Sequence, residues 1–243
     1  MILSATEQRM VVVSDLHLGS PAAHAEREFG EFLDEVARTG VALCINGDGF
    51  DLLQSTSPRL AVSGFPVLQQ LQRMVHEGVP VYYVLGNHDV ALEHVLFDLH
   101  FTVSPFLNLT SGERRIRIEH GHVHDPVYAR HPAIYEFGGR IGRFGLLAHA
   151  DVYALYSAAQ RRLDDWRRRS GRSRPYPHHA AALDLFQRGF DVAVFGHTHI
   201  PEIIDLGTGT FVNCGDWVTH RTCTIIDQGD LSLHQWEPGL LTA

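Results

Sequence analysis

Five times in this chain a short apolar run stops at a cluster of Asp, Asn and His. Met10 to Val13 leads into Ser14-Asp15-Leu16-His17, Val41 to Ile45 into Asn46-Gly47-Asp48, and Val81 to Leu85 into Gly86-Asn87-His88-Asp89. Arg114 to Glu119 leads into His120-Gly121-His122, and Phe190 to Phe195 into Gly196-His197-Thr198-His199. Short β-branched runs of this kind predict buried strands. Polar groups at their C-terminal ends lie where open α/β sheets bind ligands. Asp15 and His17 stand two apart, so in extended chain both side chains project to the same side. The pattern predicts one metal site assembled from five loops, which requires residues from Asp15 to His199 to converge.

Between these runs the hydrophobic period changes. Phe29, Phe32, Leu33 and Val36 mark an amphipathic helix over Glu28 to Arg38, closed by Gly40, and Val67, Leu68, Leu71, Met74 and Val75 mark a second that ends at Gly78. Val90 to Leu99 reads as a further helix. Arg114 to Glu119 alternates Ile116 and Ile118 with charged residues, which predicts a half-exposed strand. From 126 to 189 strand-like runs give way to glycines, aromatics and arginines, and helices are expected from Leu146 to Arg168 and from His178 to Arg188. The tail, with Glu202 to Asp205, Thr210 to Cys214, Cys223 to Ile226 and Leu231 to Trp236, reads as a β meander in which Asp216 and Trp217 close a turn. The convergence requirement favours a single domain over residues 1–243 with a helical insert at about 126–189.

A formal net charge of -8 argues against general attraction to nucleic acid. The basic residues are all Arg, and seven of them fall between Arg161 and Arg174. Cys44, Cys214 and Cys223 form no CxxC pair and read as small core hydrophobes of a reducing compartment. The first ten residues carry no apolar signal region, and no run approaches ~18 apolar residues. A cytoplasmic protein is expected, with room for reversible contact with the inner membrane.

The strand ends collect Asp15, His17, Asp48, Asn87, His120, His197 and His199. Seven donors exceed what one tetrahedral ion takes. They suit two ions with Asp48 as the bridge, because a carboxylate has two oxygens. Imidazole, carboxylate and amide oxygen together suit divalent Mn, with Fe, Zn or Mg as alternatives. Paired ions hold a phosphate oxygen and activate water for in-line attack, which points to phosphoester hydrolysis. His88 is then the expected catalytic group that is not a ligand, stabilising developing charge or protonating the leaving oxygen, and Asp89 is expected to orient its imidazole.

DLH, Gly47-Asp48-Gly49-Phe50-Asp51, GNHD, the HG at His120 and GHTH, in this order, resemble the calcineurin-like metallophosphoesterases. The resemblance implies a four-layer αββα sandwich. It also implies Asp15, His17, Asp48 and His199 on one ion, and Asp48, Asn87, His120 and His197 on the other. Gly196 to Glu202, the segment Val212 to Val218 and the insert before GHTH resemble the bacterial UDP-2,3-diacylglucosamine pyrophosphatase group of lipid A synthesis. That implies a nucleotide-linked lipid substrate, for which Tyr153 and Trp166 would offer apolar surface and Arg161 and Arg162 positive charge. His122 stands where an Asp is usual, and Gly49 where the group often has a bulkier residue. Two other readings stay open: a phosphodiesterase or phosphatase acting on a small molecule, a nucleotide or a phosphoprotein, and a non-catalytic scaffold of the same fold.

Overall fold

Strand β2 (Arg9–Val13) divides its side chains between two interfaces, because successive residues of a strand point to opposite faces. Met10 and Val12 face one apolar cluster, and Val11 and Val13 face another. The computed structural model describes residues 3–20, 25–51, 57–89, 101–130 and 176–242. Within them β2, β3 (Ala42–Asn46), β4 (Val81–Val84) and β5 (Thr102–Ser104) pair in parallel, and β11 (Thr222–Asp227) and β12 (Asp230–Gln235) extend the sheet antiparallel on the β2 side. The strand order is β12-β11-β2-β3-β4-β5.

A second six-stranded sheet contains β1 (Leu3–Thr6), β6 (Phe106–Ser111), β7 (Arg114–Glu119), β8 (Val192–Phe195), β9 (Glu202–Asp205) and β10 (Thr210–Asn213), ordered β1-β6-β7-β8-β10-β9. The sheets meet face to face. Met10, Val12, Ala42, Cys44 and Val84 of the first pack with Leu107, Leu109, Ile116, Ile118, Val192, Val194 and Val212 of the second. Helix α1 (Glu26–Thr39) lays Phe29, Phe32, Leu33 and Val36 on the outer face of the first sheet, together with Leu71 and Met74 of α2 (Ser57–His76). On the outer face of the second sheet, α3 (Pro177–Gln187) presses Ala182, Leu185 and Phe186 against Ala193, Phe195 and Phe211. Helix, sheet, sheet, helix is the expected four-layer α/β order.

The first expected helix stripe is buried and the second is buried at Val67, Leu71 and Met74 and half-buried at Leu68 and Val75; α1 ends at Gly40, whose φ of 65° makes the left-handed turn that returns its N–H to the Val36 carbonyl. Three strands were not anticipated: β1, β5 and β6. The strand expected over Arg114 to Glu119 forms, but it is not half-exposed. Arg117 and Glu119 are buried and paired at 3.0 Å, and Arg117 stacks on the ring of Phe106. Cys44, Cys214 and Cys223 are free and buried, as expected. The expected helices over Val90 to Leu99 and Leu146 to Arg168 lie outside the described residues, as do Tyr153, Arg161, Arg162 and Trp166. Of the segment at about 126–189 expected to be an insert, the described residues are the short helix Pro126–Arg130 and residues 176–189, which include α3. Among the described residues no helix is long and apolar enough to cross a membrane.

Candidate metal centre

The parallel strands β2, β3, β4, β7 and β8 deliver their motifs to one edge of the sandwich, where the loops continue to bond to one another. The N–H of Asp15 donates to the Gly47 carbonyl, that of His17 to Asp48, that of Leu18 to Gly49, and that of Gly196 to His120. Within each sheet, then, the strand ends stay joined: β2 to β3 in the first, and β7 to β8 in the second. Asp15, His17, Asp48, His197 and His199 all adopt left-handed backbone conformations, with φ of 55°, 48°, 51°, 66° and 59°. Each such residue costs about 1–3 kcal/mol and persists only where its surroundings enforce it, which is common at functional sites. Asp15 and His17 do reach a common point, but through these turns. The extended-chain geometry expected for them is incorrect.

The donor atoms converge. Nε2 of His199 lies 3.1 Å from Oδ1 of Asp15 and 3.3 Å from Nε2 of His17, which is itself 3.7 Å from Asp15 Oδ1. Nε2 of His120 lies 3.2 Å from Oδ2 of Asp48 and 4.0 Å from Asp15 Oδ1, and His17 Nε2 is 3.9 Å from Asp48 Oδ2. Three donor triplets result: Asp15, His17 and His199; His17, Asp48 and His88; and Asp48, His120 and His197. Six of the seven expected ligands are thereby brought together, and Asp48 stands between the groups. Asn87, the seventh, is buried on the GNHD turn, and among the described residues neither its Oδ1 nor its Nδ2 has a hydrogen-bond partner.

These residues fit divalent ions. An ion ~2.1 Å from each donor sets donor-to-donor edges of about 3.0 to 3.4 Å for octahedral or tetrahedral geometry, close to the shortest separations here. Among the described residues Asp15 Oδ1 is a buried acceptor without a hydrogen bond, which is costly unless a cation answers it. Oδ2 of Asp48 faces His120 without hydrogen-bond geometry, as two donors around one ion would. Without the ion the charges must balance among themselves. Burial works to raise the Asp15 carboxyl, but the imidazoles of His199 and His120 hold it well below the usual range. Burial works likewise on Asp48, and His120 and His88 outweigh it.

The motif glycines admit these side chains. A Cβ on Gly47 would stand 2.4 Å from the His120 ring, one on Gly86 2.1 Å from Asp48 Oδ1, and one on Gly196 1.9 Å from Ser14 Oγ.

Around the donors three aspartates hold histidines. His88 Nδ1 donates to Asp51 Oδ1 at 3.0 Å, which leaves its Nε2 3.9 Å from Asp48 Oδ2. Asp89 does not orient His88. Its Oδ2 accepts the Gly49 N–H at 2.9 Å and the Tyr83 hydroxyl at 2.6 Å, and its Oδ1 accepts the Gly86 N–H at 2.7 Å. Burial and the neighbouring Asp48 raise its pKa to about 6. Asp89 thus ties two glycine turns together, and Asp51 takes the role expected of it. The second xD of the GDxxD motif was the available signal. Asp125 lies 3.2 Å from His197 Nε2, and Asp216 lies 3.4 Å from His199 Nδ1. His122 packs against the His120 and Tyr128 rings, and burial drops its pKa to about 3.

The Calcineurin-like phosphoesterase family model matches residues 8–201, a span that holds every expected ligand. This chain belongs to that family. It is a calcineurin-like phosphoesterase, a metal-dependent hydrolase of phosphoric esters, and its His and Asp clusters are those of a divalent-metal protein. A UDP-2,3-diacylglucosamine hydrolase of Xanthomonas axonopodis pv. citri is 26% identical over 246 residues, covering 92% of this chain and 97% of that one. The protein of the same name from Vibrio cholerae is 23% identical over 233 residues, covering 88% and 92%. A solved archaeal phosphodiesterase superposes loosely, with a TM-score of 0.49 at 15% identity over 94% of this chain and 99% of that one.

Proposed function

We propose that this phosphoesterase works with two divalent ions, Mn first among them, held by Asp15, His17, Asp48 and His199 at one position and by Asp48, Asn87, His120 and His197 at the other. The observation that supports this most is the meeting of the Asp15, His17, Asp48, His120 and His199 donors at separations of 3.1 to 4.0 Å. When bound, such a pair of ions supplies Lewis-acid activation of the phosphoryl group and of the attacking water. The chain's own residues do the rest. His88 donates Nδ1–H to Asp51; as the imidazolium it carries a second proton on Nε2, and that proton is the one given to the leaving oxygen, which returns the ring to its neutral Nδ1–H form. His88 also belongs to the triplet with His17 and Asp48, which puts it within reach of whatever those residues hold. Buried loops around the donors exclude water from the non-reacting sides.

The narrower reading is a pyrophosphate bond in an acylated nucleotide sugar, the class named for the Xanthomonas and Vibrio relatives, with cleavage on the cytoplasmic side of the inner membrane. Its support is the near full-length coverage of both relatives. Arg161, Arg162, Tyr153 and Trp166 remain the proposed substrate contacts, on a domain that spans residues 1–243 with its insert at about 126–189. Purified protein with Mn should hydrolyse a chromogenic phosphodiester, and with UDP-2,3-diacylglucosamine it should release UMP and an acylated sugar 1-phosphate. Hydrolysis of the first alone would assign a small phosphodiester substrate. Hydrolysis of neither, with no metal retained, would overturn the catalytic reading.

A further inference from the structure

The loop after β10 lies beyond the family match and has no part in the chemistry above. Asp216 on this loop is buried at 1% exposure. Its two oxygens do different things. Oδ1 accepts the N–H groups of Thr219 and His220 at 2.5 and 3.1 Å, closing the turn expected there. Oδ2 accepts Nδ1–H of His220 at 2.9 Å and stands 3.4 Å from Nδ1 of His199.

The loop is fixed from both sides. The Trp217 N–H donates to the Asp15 carbonyl, and the indole ring packs on Phe29 and Phe32. Asn213 Nδ2 donates to the Gly196 carbonyl and to Thr198 Oγ1, which ties β10 to the GHTH turn. Asp216 therefore cannot drift relative to His199. A carboxylate only accepts, so the histidine nitrogen facing it carries the proton. That leaves the Nε2 lone pair of His199 toward Asp15 Oδ1 and His17 Nε2.

We propose that Asp216, held in place by His220, is a positioning residue for the first ion: it sets the tautomer and ring orientation of His199. The proposal rests on the two-ion reading above. Outer partners of this kind fix ligating imidazoles and raise their basicity.

The test uses full-length protein, with Asp216→Asn and His220→Gln as variants. Asn keeps an acceptor for the turn at Oδ1 and puts an NH2 group where Oδ2 met His199, so a role confined to the turn is spared while the tautomer control is lost. Chelator competition with Mn should show two ions in the unaltered protein. In D216N one of them should be held about 10- to 100-fold more weakly and the other unchanged. H220Q should shift the same ion less. Long-range 1H–15N spectra of the metal-free protein at about pH 10.5, where the ring is neutral, should show the one remaining His199 proton on Nδ1, and D216N should move it. Wild-type affinities and tautomer in D216N would overturn the proposal, as would a lower melting temperature with no change in metal affinity. If D216N does not fold, a neutral His199 whose single proton sits on Nε2 in the unaltered protein at that pH overturns it alone. Failure of the unaltered protein to bind two ions would instead strike the two-ion reading.

Discussion

Loading the centre with a divalent cation is expected to expel protons, and the number follows from the charges already described. In the metal-free protein burial works against charge on His120 and His199, yet Asp48 and Asp15 lead the carboxylates that push both up to about 9. Burial opposes charge on His17 as well, and the Asp15 and Asp51 carboxylates, each 3.7 Å from a ring nitrogen, raise it. At pH 7.5 a group of pKa about 9 is roughly 97% protonated, against roughly 9% for an unperturbed imidazole. A ligating nitrogen needs its lone pair, so each proton must leave, and about two to three are released in all. The sign is set by raised pKa values. These histidines stabilise the metal-free fold fully below pH 6.5 and lose that contribution as pH climbs through about 9, while metal affinity rises over the same window. Calorimetric titration of Mn into metal-free protein, anaerobically and in two buffers of different ionisation enthalpy, reads the count directly. It should fall by about one between pH 7.5 and pH 9, as half of the His120 and His199 protons have already gone. Fewer than one proton at pH 7.5, or no fall by pH 9, would refute the reasoning.

Five single substitutions, one of them paired with Tyr83→Phe, test the surroundings. His88→Ala should lower kcat by about 10²- to 10⁴-fold with metal content retained, and Asp51→Ala should lower it in the same direction, in steady-state assays. Asp89→Ala should instead act on stability, because three buried donors lose their acceptor, and thermal melting should show it. Gly49→Ala puts a Cβ 2.3 Å from the Tyr83 hydroxyl and should cost about 1–3 kcal/mol, part of which Tyr83→Phe should return in a double-mutant cycle. Trp217→Ala, which empties the space between Phe29, Phe32 and Trp236, should cost about 3–5 kcal/mol in denaturant unfolding.

The strand ends were legible because an apolar run that stops at Asp or His leaves a visible boundary, and the alternation of inward and outward residues along β2 and β3 follows from period two. The left-handed turns at Asp15 and His17 were not, since backbone handedness at a non-glycine residue depends on loops joined from elsewhere in the chain. Asp89 attracted the role of Asp51 by adjacency to His88. Neighbouring side chains diverge on that turn, and the partner comes from 37 positions away. Asp216 was readable as a turn residue through its Oδ1, whereas its Oδ2 contact with His199 needed the third dimension. β1 and β6 were missed because Leu3–Thr6 and Phe106–Ser111 mix apolar and polar residues too evenly to stand out, and they pair with each other across a long sequence separation. Arg117 and Glu119 read as solvent-facing because a charged pair buried under Phe106 leaves no mark in hydropathy.

Hydrolysis of the kind proposed needs two cations in one cavity with Asp48 between them. Anomalous diffraction from crystals soaked in Mn tests it most directly. Two peaks ~3.5 to 4 Å apart are expected, one beside Asp15, His17 and His199 and the other beside Asn87, His120 and His197, each within bonding distance of Asp48. A single peak, peaks remote from Asp48, or none at saturating Mn would contradict the account.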